Sequence, residues 1–311
     1  MSETRLIAID WGTTAARAYR LAEGGQVLEA RHATLGVQQV APGEFPSALA
    51  SLLGDWQSLR VPRLACGMIG SRQGWIEAPY RECPVPVSLL AHGLTHTPQR
   101  ELAIVSGIAC RDATGVPDVM RGEETQVVGL LASAATGALV VQPGTHSKWT
   151  VVASEDGDTT IRAFATYMTG ETFAVLREHS ILGRLMRESS SFDRPAFEQG
   201  VHRAMEHGTT AGELLHRIFG ARTLVLFDEL APAGAADYLS GILIGAEVAA
   251  GTRWAASHGC AQGTVWLAGG EALCMRYAAA LRVAEVETRI APADIAAQGL
   301  WRLASDAGLV T

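Results

Sequence analysis

Residues 7–14 read Ile-Ala-Ile-Asp-Trp-Gly-Thr-Thr. The apolar, β-branched run suits a buried strand. It ends in a carboxylate, so the strand would hold Asp10 rigidly at its tip. Gly12 lets the backbone turn close to a ligand, and the Thr13 and Thr14 hydroxyls with nearby amides can grip phosphate oxygens. A carboxylate beside phosphates repels them unless a divalent cation lies between. The pattern therefore implies Mg²⁺, with Asp10 as a direct or water-mediated partner. Taken alone, the segment also reads as a strand ending in a polar turn.

Two later segments extend the pattern. Pro143-Gly144-Thr145-His146-Ser147-Lys148 follows an apolar run, Ala138–Val141, and precedes Trp149–Ala153. Strand, Gly-Thr turn, strand is also the layout of residues 5–21, as two domains of related design would generate. Gly144, Thr145, His146 and Ser147 are thus candidates for a second phosphate loop. His146 could lie beside phosphate or only stabilise the turn, and Lys148 could contact phosphate or be solvated. Leu267-Ala268-Gly269-Gly270-Glu271 then gives a strand, a diglycine and a helix start. Gly269 and Gly270 would let backbone pass flat against an adenosine, although Gly-Gly at such a junction is often only a tight turn.

The elements that must position these groups can be read coarsely. Arg5–Asp10, Arg17–Leu21 and Gln26–Arg31 read as a β-meander, with Gly24-Gly25 as a hairpin turn. Leu49, Leu52, Leu53 and Trp56 recur at helical spacing within 42–62, and Arg63–Cys66 and Leu102–Val105 are short strands. Glu123 to Ala135 suits a helix. Ala236–Ala250 reads as an amphipathic helix with Leu239, Ile242, Leu243 and Ala246 on one side, and Gly241 and Gly245 permit close packing. Thr264–Ala268 is a strand feeding a helix over Glu271–Val283. The domains expected are 1–137 and 138–311, joined by a hinge near 137.

Composition narrows the function. A net charge of −7 and a pI near 5.7 offer no basic field for a nucleic acid. The cysteines (Cys66, Cys83, Cys110, Cys260 and Cys274) are scattered with no CxxC pair, which suits reduced thiols rather than zinc or disulfides. No basic-then-apolar amino terminus suggests secretion, and Val127–Val141 is too short to span a bilayer. A cytoplasmic protein without nucleic-acid or membrane partners is expected. A homo-oligomer is compatible with the sequence, which does not fix the oligomeric state. The P-loop, GxSxG and HExxH patterns are absent.

In order, Asp-Trp-Gly-Thr-Thr, Pro-Gly-Thr-His-Ser-Lys and Gly-Gly resemble the sugar kinase, actin and Hsp70 superfamily. Gly-Met-Ile-Gly-Ser-Arg-Gln-Gly-Trp (67–75), Glu-Ala-Pro-Tyr (77–80) and Met-Thr-Gly-Glu-Thr-Phe (168–173) resemble the bacterial 2-dehydro-3-deoxygalactonokinases. The resemblance implies a two-domain α/β, actin-like/ribonuclease H-like ATPase fold, with ATP–Mg²⁺ in an interdomain cleft whose closure excludes water. It also implies transfer of the ATP γ-phosphate to the 6-hydroxyl of 2-dehydro-3-deoxy-D-galactonate.

That reaction needs a carboxylate to take the hydroxyl proton. Related sugar kinases carry it in a Gly-Asp shortly before the second phosphate loop; here Gly122-Glu123-Glu124 occupies that place, leaving Glu123 and Glu124 as candidates and Asp118 as an outsider. Two acids at a helix start would also suit the macrodipole. A guanidinium suits a sugar-acid carboxylate, which points to Arg72, with Gln73 for hydroxyls and Trp75 and Tyr80 as a wall. Thr169 and Glu171 could reach the same place; for each, a surface or packing role is the alternative. Arg17 could reach phosphate or substrate, or pair with Glu123 or Glu124. His202, His207 and His216 suit a polar helix face, and Trp254, Trp266 and Trp301 a core. Alternatives are a kinase of another sugar or sugar acid in the superfamily, and an ATP-driven binding module.

Overall fold

The computed structural model describes residues 3–131, 138–155, 158–206, 210–260 and 263–310. The chain forms two units: Met1–Thr136 with Val152–Phe164 and Pro292–Thr311, and Gly137–Val151 with Ala165–Ala291. The division expected at 137/138 is therefore too simple, because 152–164 and 292–311 return to the first unit. The hinge expected near 137 lies outside the described residues.

The first unit starts with the expected meander, β1 (Leu6–Trp11), β2 (Ala16–Leu21) and β3 (Val27–Ala33), followed by α1 (Phe45–Leu53) and β4 (Arg63–Cys66). Next come β5 (Tyr80–Glu82), β6 (Val85–Pro86), α2 (Val87–His92), β7 (Thr95–His96), β8 (Ala103–Ile104), β9 (Gly107–Arg111), β10 (Pro117–Met120) and α3 (Glu123–Leu130). The main sheet has the order β3-β2-β1-β4-β8-β7, and β10-β9-β5 form a smaller one. β1 pairs antiparallel with β2 and parallel with β4. Ile7, Ile9 and Trp11 are fully buried with Phe45, Leu49, Leu52 and Leu53 of α1. Each contributes about 1.5–3 kcal/mol by leaving water, and together they fix the strand that carries Asp10.

The second unit repeats this arrangement. Its elements come from β11 (Leu139–Gln142), β12 (Ser147–Glu155), β13 (Asp158–Tyr167), α4 (Thr169–His179), α5 (Arg194–Met205), α6 (Ala211–Arg217), α7 (Gly220–Leu226), α8 (Ala235–Ser257), β14 (Val265–Leu267), α9 (Glu271–Val283) and β15 (Thr288–Ile290). The sheet has the order β15-β14-β11-β12-β13-β6, with residues 152–164 of β12 and β13 counted in the first unit. β11 is antiparallel to β12 and parallel to β14, as β1 is to β2 and β4. Each Gly-Thr turn thus joins the same two strands of its own sheet.

The last helix, α10 (Ile295–Asp306), belongs to the first unit and lies against α3. A Cβ on Gly299 would sit 1.9 Å from the Thr125 carbonyl oxygen, and one on Gly129 2.2 Å from that of Ile295. The two backbones touch, so these sites accept only glycine.

α8 departs from expectation. It is not amphipathic: Tyr238, Ile244, Glu247, Val248 and Gly251 are buried as well as Leu239, Ile242 and Leu243. α5 lies directly on its backbone, since a Cβ on Gly241 would be 2.0 Å from the Phe197 oxygen. Trp149 covers Gly251, where a Cβ would be 2.5 Å from the indole. Trp254, Trp266 and Trp301 are half-buried rather than core; Trp11, Trp56 and Trp149 fill that role. His202 and His216 are exposed on α5 and α6, and His207 lies outside the described residues. Among the described residues, no helix is long and apolar enough to cross a membrane.

Candidate active site

In the first unit the groups gather where β1 ends. Gly67 has φ +92°, and a Cβ on it would meet the Trp11 carbonyl at 2.7 Å and Asp10 Oδ1 at 3.5 Å. Gly122, at φ +108°, would bring a Cβ to 3.1 Å from the Gly67 Cα. This stack of bare backbones brings the start of α3 beside Asp10. The buried Cys66 thiol registers the outcome. Burial pushes its pKa up, and the charges of Asp10, Glu124 and Glu123 add to the effect.

The Asp10 side chain is 21% exposed, and burial raises its pKa against the pull of Arg17. Arg17 Nη1 stands 3.9 Å from Asp10 Oδ2, so Arg17 pairs with Asp10. Among the described residues no trio of His, Cys, Asp or Glu could hold a metal. Mg²⁺ typically takes one or two carboxylates plus water and phosphate oxygens. Asp10 alone fits that donor set. Thr13 and Thr14 are exposed on the turn closed by Gly12 N–H on the Ala15 oxygen (2.9 Å).

The two glutamates differ sharply. Glu124 is wholly buried, accepting from the Gly122 N–H (2.7 Å) and the Thr125 hydroxyl (3.0 Å). Burial, then the Glu123 charge, pushes its pKa from 4.5 up to about 8. Glu123 is partly exposed, and its Oε2 accepts from the Arg121 N–H at 3.0 Å. Asp118 lies on β10 with Oδ1 on the Val119 amide.

A stability profile should reveal the difference. Between about pH 4.5 and 8 the native state keeps a proton on Glu124 that the unfolded chain releases, so stability falls as pH rises through that window. Glu124→Gln is expected to flatten this part of the curve. Calorimetric Tm values for variant and parent across the window check it, and equal slopes would refute the assignment.

Loop 67–80 folds back on itself, with Trp75 N–H on the Ile69 oxygen and Ala78 N–H on that of Gly70 (both 2.9 Å). Arg72 is 86% exposed and bound to Glu77 at 2.9 Å, so its guanidinium already has a carboxylate partner. Gln73 is exposed. Trp75 is half-buried and stacks on Phe45 (6.3 Å between centroids), which makes it a packing residue. Tyr80 is 42% exposed beneath Arg121, whose Cζ lies 4.3 Å from the ring centroid. Sequence reasoning passed over Arg121. It is buried, donates from Nη2 to the Ala78 oxygen (2.8 Å), and has no hydrogen-bond partner for Nε or Nη1 among the described residues. It ties loop 67–80 to the turn that leads into α3. Its place just before Gly-Glu-Glu was the only available signal.

In the second unit, Thr145 and His146 are exposed on the turn before β12. Gly170 lies flat on this turn, where a Cβ would be 2.3 Å from the Gly144 oxygen, and the Glu171 N–H reaches the Thr145 oxygen at 3.0 Å. Glu171 Oε2 is 2.5 Å from His146 Nε2, so its carboxylate is engaged with this loop. Two expectations need correction. Ser147 is wholly buried with its hydroxyl on Tyr277 (2.7 Å), which removes that side chain from phosphate contact. Lys148 is buried rather than solvated, its Nζ donating to the Thr166 hydroxyl at 2.7 Å. The Thr169 side chain lies near the buried Glu247 carboxylate, whose charged form it favours.

Gly269 stands against the same turn, with a Cβ position 3.1 Å from the Pro143 oxygen. Gly269 and Gly270 open α9, and it is α9 side chains that face a neighbouring pocket of about 370 Å³. Gly144, Phe173, Phe192, Ser240, Arg276 and Tyr277 are among its lining residues. Arg276 binds Asp237 Oδ1 at 2.6 Å, and its Cζ stands 4.2 Å from the Phe192 ring centroid. The diglycine therefore sets the course of α9, and the apolar and guanidinium surfaces suited to a planar base come from beyond it.

Residues 10–303 match the family of 2-keto-3-deoxy-galactonokinases. The chain belongs to this family. It is 37% identical over 310 residues to the probable 2-dehydro-3-deoxygalactonokinase DgoK1 of Rhizobium meliloti (strain 1021), covering 95% of this chain and 97% of that one. The 2-dehydro-3-deoxygalactonokinase of Escherichia coli (strain K12) is 36% identical over 296 residues, covering 94% and 95%. A Sinorhizobium meliloti crystal structure given the same kinase name superposes with a TM-score of 0.86 at 35% identity, over 96% of this chain and 98% of its own. Component A of (R)-2-hydroxyglutaryl-CoA dehydratase from Acidaminococcus fermentans shares the fold alone, with a TM-score of 0.50 at 14% identity over 98% and 100%. The fold is of the α/β class expected from the motifs.

Proposed function

We propose that this member of the galactonokinase family transfers the γ-phosphoryl group of ATP to the 6-hydroxyl of 2-dehydro-3-deoxy-D-galactonate, yielding the 6-phosphate and ADP. The family match across residues 10–303 carries this reading. The first unit contributes the reachable acid, Glu123, beside Asp10 and loop 67–80. As the 6-oxygen bonds to the γ-phosphorus, its proton passes to Glu123 and the bond to the ADP oxygen breaks. Thr13 and Thr14, with Gly144, Thr145 and His146 of the second unit, hold phosphate oxygens. Asp10 would hold Mg²⁺, which when bound neutralises charge on the phosphates. The sugar acid is assigned to loop 67–80, where Arg72, Gln73 and Tyr80 are exposed.

A coupled ADP-release assay over a panel of 2-keto-3-deoxy sugar acids and neutral hexoses tests it. Highest kcat/KM is expected with the galactonate-derived acid. Preference for a neutral hexose would make this a different sugar kinase. ADP release that no sugar accelerates would favour an ATP-driven binding module.

A further inference from the structure

One buried carboxylate in the second unit has no part in the chemistry above. Glu247 sits midway along α8 and is 3% exposed. Its Oε1 accepts from the Trp149 indole N–H at 2.7 Å and its Oε2 from the Tyr277 hydroxyl at 2.6 Å. Because Tyr277 donates to Glu247, the Ser147 hydroxyl donates to the Tyr277 oxygen (2.7 Å). The Thr169 side chain lies near the same carboxylate and favours its charged form. Burying a charge is costly unless donors surround it, and here indole and hydroxyl groups replace the lost water.

The groups gathered around it, directly or through Tyr277, come from the three motifs found separately in the sequence. Ser147 closes the Gly144-Thr145-His146 turn. Thr169 begins Thr-Gly-Glu, whose Gly170 lies on the Gly144 carbonyl and whose Glu171 amide bonds to Thr145. Tyr277 lies on the helix that Gly269-Gly270 opens, and it lines the pocket. Trp149 differs: it contacts the carboxylate from the core side, against Gly251. We infer that Glu247 is a positioning residue for nucleotide binding, a buried acceptor that sets the phosphate turn, the Thr-Gly-Glu turn and α9 in one arrangement. This rests on the reading that the 144–146 turn holds ATP phosphates. A carboxylate accepts from both the Trp149 indole and the Tyr277 hydroxyl, whereas an amide would turn its NH₂ towards one of these two donors.

Glu247→Gln tests the inference, with Tyr277→Phe as a second variant in case the first fails to fold. Trp149→Phe is the control, since it removes a bond to the same carboxylate without touching either turn. Glu247→Gln and Tyr277→Phe are expected to raise the ATP KM and the Kd for a non-hydrolysable ATP analogue by about tenfold or more, the scale of losing a hydrogen bond to a charged group. The sugar-acid KM at saturating ATP should stay within about twofold. Trp149→Phe is expected to lower Tm while leaving the analogue Kd near the parent's. Should all three variants lower Tm with an unchanged analogue Kd, Glu247 is purely structural and the inference fails. Failure of the parent protein itself to bind the analogue would instead defeat the phosphate-turn reading.

Discussion

Replacing Glu123 with Gln is expected to lower kcat by roughly 10²–10⁴-fold, the contribution of a well-placed general base. Tm and both KM values should change little. The amide oxygen of Gln can still accept the Arg121 N–H that Glu123 Oε2 accepts at 3.0 Å, so this bond is kept while the proton acceptor is lost. The neighbouring carboxyl is no substitute. Glu124 is wholly buried and, with its pKa near 8, holds its proton at neutral pH. Steady-state rates for both single variants decide the matter: a near-normal Glu123→Gln beside an inactive Glu124→Gln would transfer the role by one residue.

The next largest effect is expected from Gly170→Ala. The added Cβ would stand 2.3 Å from the Gly144 oxygen and 2.8 Å from the Thr145 Cα. Backbone cannot yield as a flexible side chain does, so the turn must move by on the order of an ångström, a displacement that can cost about 10²-fold where groups must be aligned. The loss should fall on the ATP KM and spare the sugar-acid KM. Titrating each substrate at saturating levels of the other separates these outcomes, and an unchanged ATP KM would mean that the 144–146 turn does not hold phosphates.

The parts of the proposed site that can be read from the sequence are those whose chemistry is local. Asp10 at a strand end, Gly12 with two threonines, and Glu123 behind Gly122 each make sense within a few residues. The missed or misassigned groups depend on partners far along the chain. Nothing near Glu247 announces Trp149 or Tyr277, and Ser147 reads as a phosphate ligand until Tyr277 is placed against it. Lys148 misled for a related reason. Residues 147–152 of β12 are buried on both faces, so the alternation that separates inward from outward side chains is lost. α8 looked amphipathic because four aliphatic residues matched one face. Its glycines, which admit α5 and Trp149 at backbone distance, bury the other faces as well.

Backbone contact between α3 and α10 also bears on how the protein is made. The helix presenting Glu123 docks on residues 295–299, which the ribosome delivers only after the whole second unit has emerged. Domains usually mature in order of synthesis, but here the amino-terminal half must wait, its acidic corner unfinished, while its successor is translated. Activity should therefore arise late during biosynthesis, and nascent chains arrested before α10 would have every catalytic motif yet no settled support for the base.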